Sequence, residues 1–177
     1  MLAPRYTRTA SMLHALVAVL VLSLFALGLY MADLPLSPQK LKLYSYHKWA
    51  GVTVFLLALA RVLWRIGHQP PAFAPSLSAF QQRAAGAGHA LLYVLMVIVP
   101  LSGWLMSSAK GFQTVWFGVL PLPDLLAKDK VLGDTLLVLH QYLNYAFMAV
   151  VAGHVAMALK HHFIDGDGSL RRMFYFR

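Results

Sequence analysis

Residues 136–163 read LLVLHQYLNYAFMAVVAGHVAMALKHHF, an apolar stretch long enough to cross a lipid bilayer as one helix. Imidazoles in such a helix are costly and usually mark a functional site, and this stretch carries His140, His154, His161 and His162. His140 and His154 are 14 residues apart, which in an α-helix gives roughly 21 Å of rise and a return to within about 40° of the same face. The stretch therefore predicts two metal-binding levels along one helix.

The composition indicates a membrane protein. Of the 177 residues, 59% are hydrophobic and 12% are charged, about half the charged share of a soluble domain. The absence of cysteine excludes disulfides, Cys-ligated clusters and covalently attached c-type haem. A net charge of +9 would suit nucleic-acid binding, but the cations flank long apolar runs, as they do around membrane spans. We expect contact with lipid and none with nucleic acid.

Four apolar runs predict an all-α, integral membrane four-helix bundle in a single domain, 1–177, with spans at about 10–32, 47–66, 86–107 and 136–163. The first run is longer than the apolar part of a signal peptide and lacks a clean cleavage site. Within the connection 108–135, the portion 115–123 is apolar but interrupted by prolines, so we expect it to lie on the membrane interface. Lys and Arg are more numerous on the side of both termini, which predicts an inner-membrane protein with cytoplasmic termini.

The same 14-residue step recurs in every span, where it pairs His14 with Gly28, His47 with Arg61, His89 with Gly103 and His140 with His154. Glycine leaves room for a flat macrocycle near the helix backbone. Because successive spans alternate in direction, one histidine pair lies towards the outside and three histidines lie towards the cytoplasm. We call them the outer pair (His47 and His140) and the inner cluster (His14, His89 and His154).

Paired imidazoles at two levels predict two b-type haems. A haem iron with two histidine ligands has no open position, which favours electron transfer over oxygen binding. The inner partner of His154 is either His14 or His89. Zinc or copper is disfavoured because no carboxylate or thiol accompanies the histidines. Haem propionates need cations near the bilayer edges, and the candidates are Arg8, Arg61 and Arg65 inside and Lys48 outside.

Several motifs together resemble the bacterial cytochrome b561 family over almost the full length. They are Arg5-Tyr6-Thr7-Arg8 before His14, His47-Lys48-x-x-Gly51, Arg61-Val62-Leu63-Trp64-Arg65, Gly88-His89-x-x-x-Tyr93, Pro100-Leu101-Ser102-Gly103-Trp104, His140, His154, Lys160-His161-His162-Phe163 and Arg171-Arg172-Met173. The resemblance implies haem ligands on the first, second and fourth helices. It thus implies that His14 pairs with His154 and His47 with His140, which frees His89.

Members of that family include a superoxide oxidase, so the resemblance implies electron transfer from periplasmic superoxide to membrane ubiquinone. A basic outer surface would steer the superoxide anion, and its candidate residues are Lys40, Lys42, Lys48 and Lys110. His89 and His161 are the candidate residues of a quinone site near the inner haem. The alternative is an electron-carrier or anchor subunit that serves a periplasmic redox partner protein. A non-haem transporter is disfavoured, because the spans contain no buried acid.

Overall fold

Four long helices form the body of the protein in the computed structural model, which describes residues 5–73 and 77–174. They are α1 (Arg8–Asp33), α2 (Pro38–Gly67), α3 (Ala79–Ala109) and α4 (Lys130–Leu159). A π-helical turn, Lys160–Ile164, extends α4, and the short helix α5 (Ser169–Met173) follows it. All four long helices are long and apolar enough to cross a membrane. The predicted all-α membrane bundle is therefore confirmed.

All four helices begin before the apolar runs that predict them. Each starts directly after a polar side chain that accepts a hydrogen bond from a backbone N–H of the first turn, and these capping residues are Thr7, Ser37, Ser78 and Asp129. At Ser78 the capping is reciprocal, because Gln81 Oε1 accepts from the Ser78 backbone N–H at 2.8 Å. Polar capping thus carries the helices past their apolar segments, and the connections are shorter than hydropathy alone predicts.

The long connection before α4 folds as a small hairpin and does not span the membrane. Its strands, β1 (Val115–Trp116) and β2 (Leu120–Pro121), pair antiparallel. The tight turn between them requires positive φ angles, which are 51° at Phe117 and 72° at Gly118. The indole N–H of Trp49 on α2 donates to the Val115 carbonyl at 2.6 Å and attaches the hairpin to the bundle.

The helices pack in chain order, α1 on α2, α2 on α3 and α3 on α4. The buried apolar core between them is small and consists of Val17, Val21, Val54, Ala58, Leu95, Met96, Val99 and Phe147. Many large apolar side chains lie instead on the outside of the bundle, among them Leu63 and Val131. Lipid solvates such a surface, so the interior does not need a dense core everywhere. The two ends of the bundle interior are left to the histidines and their cavities.

The capping box at α3 gives a test of why this helix starts at Ala79. Ser78→Ala removes the acceptor of the Gln81 backbone N–H, so it should lower the free energy of unfolding by about 1 kcal/mol. Unfolding in detergent, followed by circular dichroism, measures the change. The control is Ser23→Ala, because Ser23 lies exposed on α1. Equal effects of the two substitutions would contradict a role for the cap.

Candidate functional site

The outer pair lies between α2 and α4. The ring centres of His47 and His140 are 6.4 Å apart, and their planes are nearly perpendicular at 87°. Two imidazoles that bind one metal from opposite sides have centres roughly 6.3 Å apart, because each metal–nitrogen bond is about 2.0 Å and each nitrogen lies about 1.15 Å from its ring centre. The observed separation therefore suits a shared metal ion.

Two glycines pack against the rings of the outer pair. A Cβ atom added at Gly28 on α1 would lie 3.4 Å from Cε1 of His47. A Cβ atom added at Gly103 on α3 would lie 3.0 Å from Cε1 of His140, closer than ordinary van der Waals contact. These two predicted positions thus bring the helix backbone against the imidazoles. The adjoining cavity, of about 80 Å³, is lined by Lys48, Trp104 and other residues of α2 and α3.

A buried hydroxyl orients one ring of the outer pair. Ser102 Oγ donates to the Val99 carbonyl at 2.7 Å and lies 2.8 Å from Nδ1 of His140. Because the hydroxyl proton is already used, the Ser102 oxygen accepts the Nδ1 proton of His140. That contact leaves Nε2 of His140 unprotonated and able to bind a metal. Sequence reasoning missed this role, although Ser102 stands in the Pro100–Trp104 motif.

The inner cluster joins α1, α3 and α4 at the other end of the bundle. The rings of His14 and His154 have centres 6.2 Å apart, at an interplanar angle of 45°. The rings of His89 and His154 are closer, at 5.5 Å. The first separation fits a metal bound from both sides at roughly 6.3 Å, and the second is too short for that arrangement. The geometry therefore favours His14 over His89 as the partner of His154.

A cavity of about 380 Å³ surrounds the inner cluster, and all four long helices contribute to its lining. Arg61, Arg65 and Arg5 supply cations to it. Tyr93 orients two of them, because its ring lies 5.3 Å from the Arg61 guanidinium and 5.7 Å from that of Arg65. Arg8 was also predicted here, but it is exposed and is not among the lining residues. Tyr93 follows His89 by one helical turn, which is the signal that could have identified it.

Residues 5–7 and the segment of α5 also line the inner cavity, which the sequence did not predict. The Tyr6 backbone N–H donates to the Arg172 carbonyl at 3.1 Å and joins the first segment to α5. The Trp64 indole donates to Thr7 Oγ1 at 3.0 Å. The Phe174 ring meets the His14 ring edge-on, with centres 6.0 Å apart. The Phe174 ring thus contacts His14 across most of the length of the sequence.

The two predicted quinone-site residues occupy different surroundings. His89 lines the inner cavity, whereas His161 is not among its lining residues. His161 lies in the π-helical turn, and its Nδ1 is 2.6 Å from Oδ2 of Asp165. Lys160 contacts the same carboxylate at 2.7 Å. Hydrogen bonds from Lys160 and, secondarily, from His161 hold the pKa of Asp165 below its usual value. His161 follows His154 by seven residues, which in an α-helix would place both on nearly the same face. The α-helix ends at Leu159 and a π-helical turn follows, so that relation does not hold here.

The four predicted steering lysines are largely engaged in local structure. Lys40 Nζ donates to the carbonyls of Ala32 and Leu34 at the end of α1. Lys48 donates to Ser107 Oγ and the Phe112 carbonyl, both at 3.1 Å, and so ties α2 to the hairpin connection. The other two cations also have neighbours: Lys42 lies over the ring of Tyr46, and Lys110 pairs with Asp134. Of these lysines, Lys48 lines the outer cavity.

Bare metal ions fit these sites poorly. Among residues 5–73 and 77–174, no three or more His, Cys, Asp or Glu side chains are grouped to hold one. A structural zinc ion takes four protein ligands, whereas each level offers two imidazoles at the right separation. A macrocycle that supplies the four equatorial ligands itself needs only those two. The donor set therefore suits haem.

A sequence model of the prokaryotic cytochrome b561 family matches residues 5–176. The chain belongs to this family. Cytochrome b561 homolog 2 of Escherichia coli (strain K12) is 38% identical over 170 residues, which cover 96% of this chain and 90% of that protein. Cytochrome b561 homolog 1 of the same organism is 27% identical over 96% of both chains. The probable superoxide oxidase CybB of Yersinia pestis is 27% identical over 73% of this chain and 77% of its own.

Membership in the cytochrome b561 family defines the general role of the protein. It is a multi-pass protein of the inner membrane that transfers electrons across the bilayer, and the family implies b-type haem. The resemblance noted from the sequence motifs is thereby confirmed. The imidazole pairs, the glycines beside them and the cavity arginines are consistent with that cofactor.

The contact between Gly103 and His140 predicts a specific sensitivity in this cytochrome. Gly103→Ala places a Cβ atom 3.0 Å from the imidazole, so the ring must move by a few tenths of an ångström. We expect a changed haem absorption spectrum or a lower haem content in the purified protein. Gly86→Ala is the matched control on the same helix, because its added Cβ meets nothing within 4 Å. An unchanged spectrum and haem content in Gly103→Ala would contradict haem ligation by His140.

Proposed function

We propose that this cytochrome binds two b-type haems and transfers electrons from periplasmic superoxide to ubiquinone. His47 and His140 would hold the outer haem iron, and His14 and His154 the inner one. Each iron, held by two neutral imidazoles, would supply one-electron redox chemistry without an open position for oxygen. In the complete reaction, two superoxide anions would each lose one electron and give two molecules of dioxygen. One quinone would gain two electrons and two protons and become a quinol.

The observation that carries this proposal is the occurrence of two imidazole pairs at ligand separation, 6.4 Å and 6.2 Å, towards opposite ends of one bundle. One pair alone would serve a single redox centre near one face. Two pairs provide a relay that connects both faces of the membrane. The cavity arginines Arg61 and Arg5 suit the carboxylates that a haem carries.

Superoxide would arrive at the outer end. Electron transfer from superoxide to the outer haem would require no protein nucleophile or base. The residues there would need only to attract the anion and to hold the haem in place. Lys40, Lys42, Lys48 and Lys110 give this end a positive potential that raises the encounter rate. Lys48 is the most direct candidate, because it lines the outer cavity while its hydrogen bonds hold the hairpin beside it. The relative named a probable superoxide oxidase supports this substrate.

Quinone would be reduced at the inner end, where both termini would face the cytoplasm. The quinone needs an apolar cleft and a proton donor, and the inner cavity offers apolar walls beside His89. His161 would lie on the same side of the membrane. It is hydrogen-bonded to Asp165, an exposed residue directly after the π-helical turn. We assign proton delivery to the quinone to His89, which lines the inner cavity. We further propose that His161, which does not line that cavity, takes up protons from water at the cytoplasmic surface.

A second candidate is an electron carrier or anchor subunit for a periplasmic redox partner protein. The hairpin favours it, because Val119 and Phe117 at its tip are 82% and 57% exposed. Exposed apolar side chains beside the outer cavity suit a docking protein. Under this alternative, reduction of the haems would require the partner protein, and superoxide alone would not reduce them.

The ligand assignment predicts which haem is lost when each histidine is replaced by alanine. His47→Ala or His140→Ala should roughly halve the bound haem, because a haem iron that loses one of its two axial ligands is weakly held. His14→Ala should remove the other haem, and His89→Ala should leave both. Haem quantification with reduced-minus-oxidised spectra measures these outcomes. Loss of a haem in His89→Ala, with both retained in His14→Ala, would refute the inner pairing.

The superoxide reaction predicts fast reduction of both haems in stopped-flow mixing with a modest excess of superoxide. Superoxide dismutase should abolish the signal, and higher salt should slow it, because salt screens the attraction between lysines and the anion. Added ubiquinone should reoxidise the haems, and more slowly in His89→Ala than in the parent protein.

Haems that remain oxidised under these conditions would exclude the superoxide reaction. Their reduction only after a co-purified periplasmic protein is added would support the carrier alternative. Equal reoxidation rates in the parent and in His89→Ala would remove the proton-donor role while leaving the superoxide half of the reaction intact.

A further inference from the structure

The two rings of the outer pair differ in what holds them. Nδ1 of His140 meets Ser102 Oγ at 2.8 Å, and Ser102 is buried, with 3% of its surface exposed. The same hydroxyl donates to the Val99 carbonyl at 2.7 Å. The chain from imidazole N–H to hydroxyl to carbonyl is therefore fixed in direction, and each hydrogen bond polarises the next.

The Nδ1 atoms of the partner rings are placed differently. His47 Nδ1 and His14 Nδ1 are both buried, and neither has a hydrogen-bonding partner within residues 5–73 and 77–174. An N–H that donates to an acceptor makes its imidazole more basic and a stronger electron donor to a bound metal. A stronger donor favours the metal's more positive, oxidised state. The Ser102 contact therefore distinguishes His140 from both His47 and His14.

We propose that Ser102 is a positioning residue that lowers the reduction potential of the outer haem relative to the inner one. This inference rests on the proposed assignment of His140 as an outer ligand. Ser102 fixes the tautomer and orientation of His140 and increases electron donation from its Nε2. A lower potential at the outer level makes electron transfer towards the inner level thermodynamically downhill. One hydrogen bond, between Ser102 on α3 and His140 on α4, then favours electron transfer from the outer haem to the inner haem.

The test is a potentiometric titration of the haem absorption in a His14→Ala background, which under the proposed function contains only the outer haem. Adding Ser102→Ala should raise the measured midpoint potential, because His140 loses its acceptor. Adding Ser102→Thr should leave it near the background value, since threonine retains the hydroxyl. Ser11→Ala is the control, because Ser11 is also buried on a long helix, its Oγ meets no partner among the described residues, and it should leave the potential unchanged.

An unchanged midpoint in Ser102→Ala, or equal shifts in Ser102→Ala and Ser102→Thr, would overturn the positioning role. Loss of the outer haem in Ser102→Ala with retention in Ser102→Thr would support it, since both results depend on the hydroxyl. Loss in both variants would count against it. A separate measurement tests the assignment of His140 on which this inference rests. If His140 is not a haem ligand, His140→Ala in the otherwise unaltered protein should retain both haems.

Discussion

The structure depends on imidazole groups placed inside an apolar bundle. A buried polar atom without a partner costs about 1–3 kcal/mol, and His14 and His47 each place a buried Nδ1 where no described residue hydrogen-bonds to it. A folded chain tolerates such a cost when the same imidazole is needed to bind a ligand through its other nitrogen. The ring separations at the two levels, 6.4 Å and 6.2 Å, are compatible with the b-type haem that the family implies. Stability and function are therefore linked in this bundle.

The same requirement explains the unusual distribution of packing. α1 to α4 contact each other in chain order, and the apolar core between them is small. A denser core would fill the space beside the histidines. Gly28 and Gly103 bring backbone rather than side chains against the imidazoles of the outer pair. Helix contacts in a membrane are stabilised by close packing of small residues, so these glycines serve both helix association and ring placement.

The sequence was sufficient for the bundle and for the grouping of the outer pair and the inner cluster, because both follow from hydropathy and helical period. It was insufficient for the helix starts, since polar caps such as Ser78 extend a helix beyond its apolar run. It also missed Tyr93 and Phe174, whose roles depend on contacts between distant segments. The lysines illustrate the same limit. The sequence gives the number of charges on each side of the membrane, whereas the structure shows that Lys40 caps α1 and that Lys48 holds the hairpin.

Under the proposed function, the two ends of the bundle would serve different partners. The outer cavity measures about 80 Å³ and is bordered by Lys48 and the hairpin connection, an arrangement that excludes bulky molecules from the imidazoles. The inner cavity measures about 380 Å³, and the segments that line it near Tyr6 and Phe174 are attached by contacts such as the hydrogen bond from Trp64 to Thr7. A small diffusible anion needs only a charged surface and a nearby redox centre. A quinone must enter, be held and leave, which requires both the larger volume and a cover that local fluctuations can open.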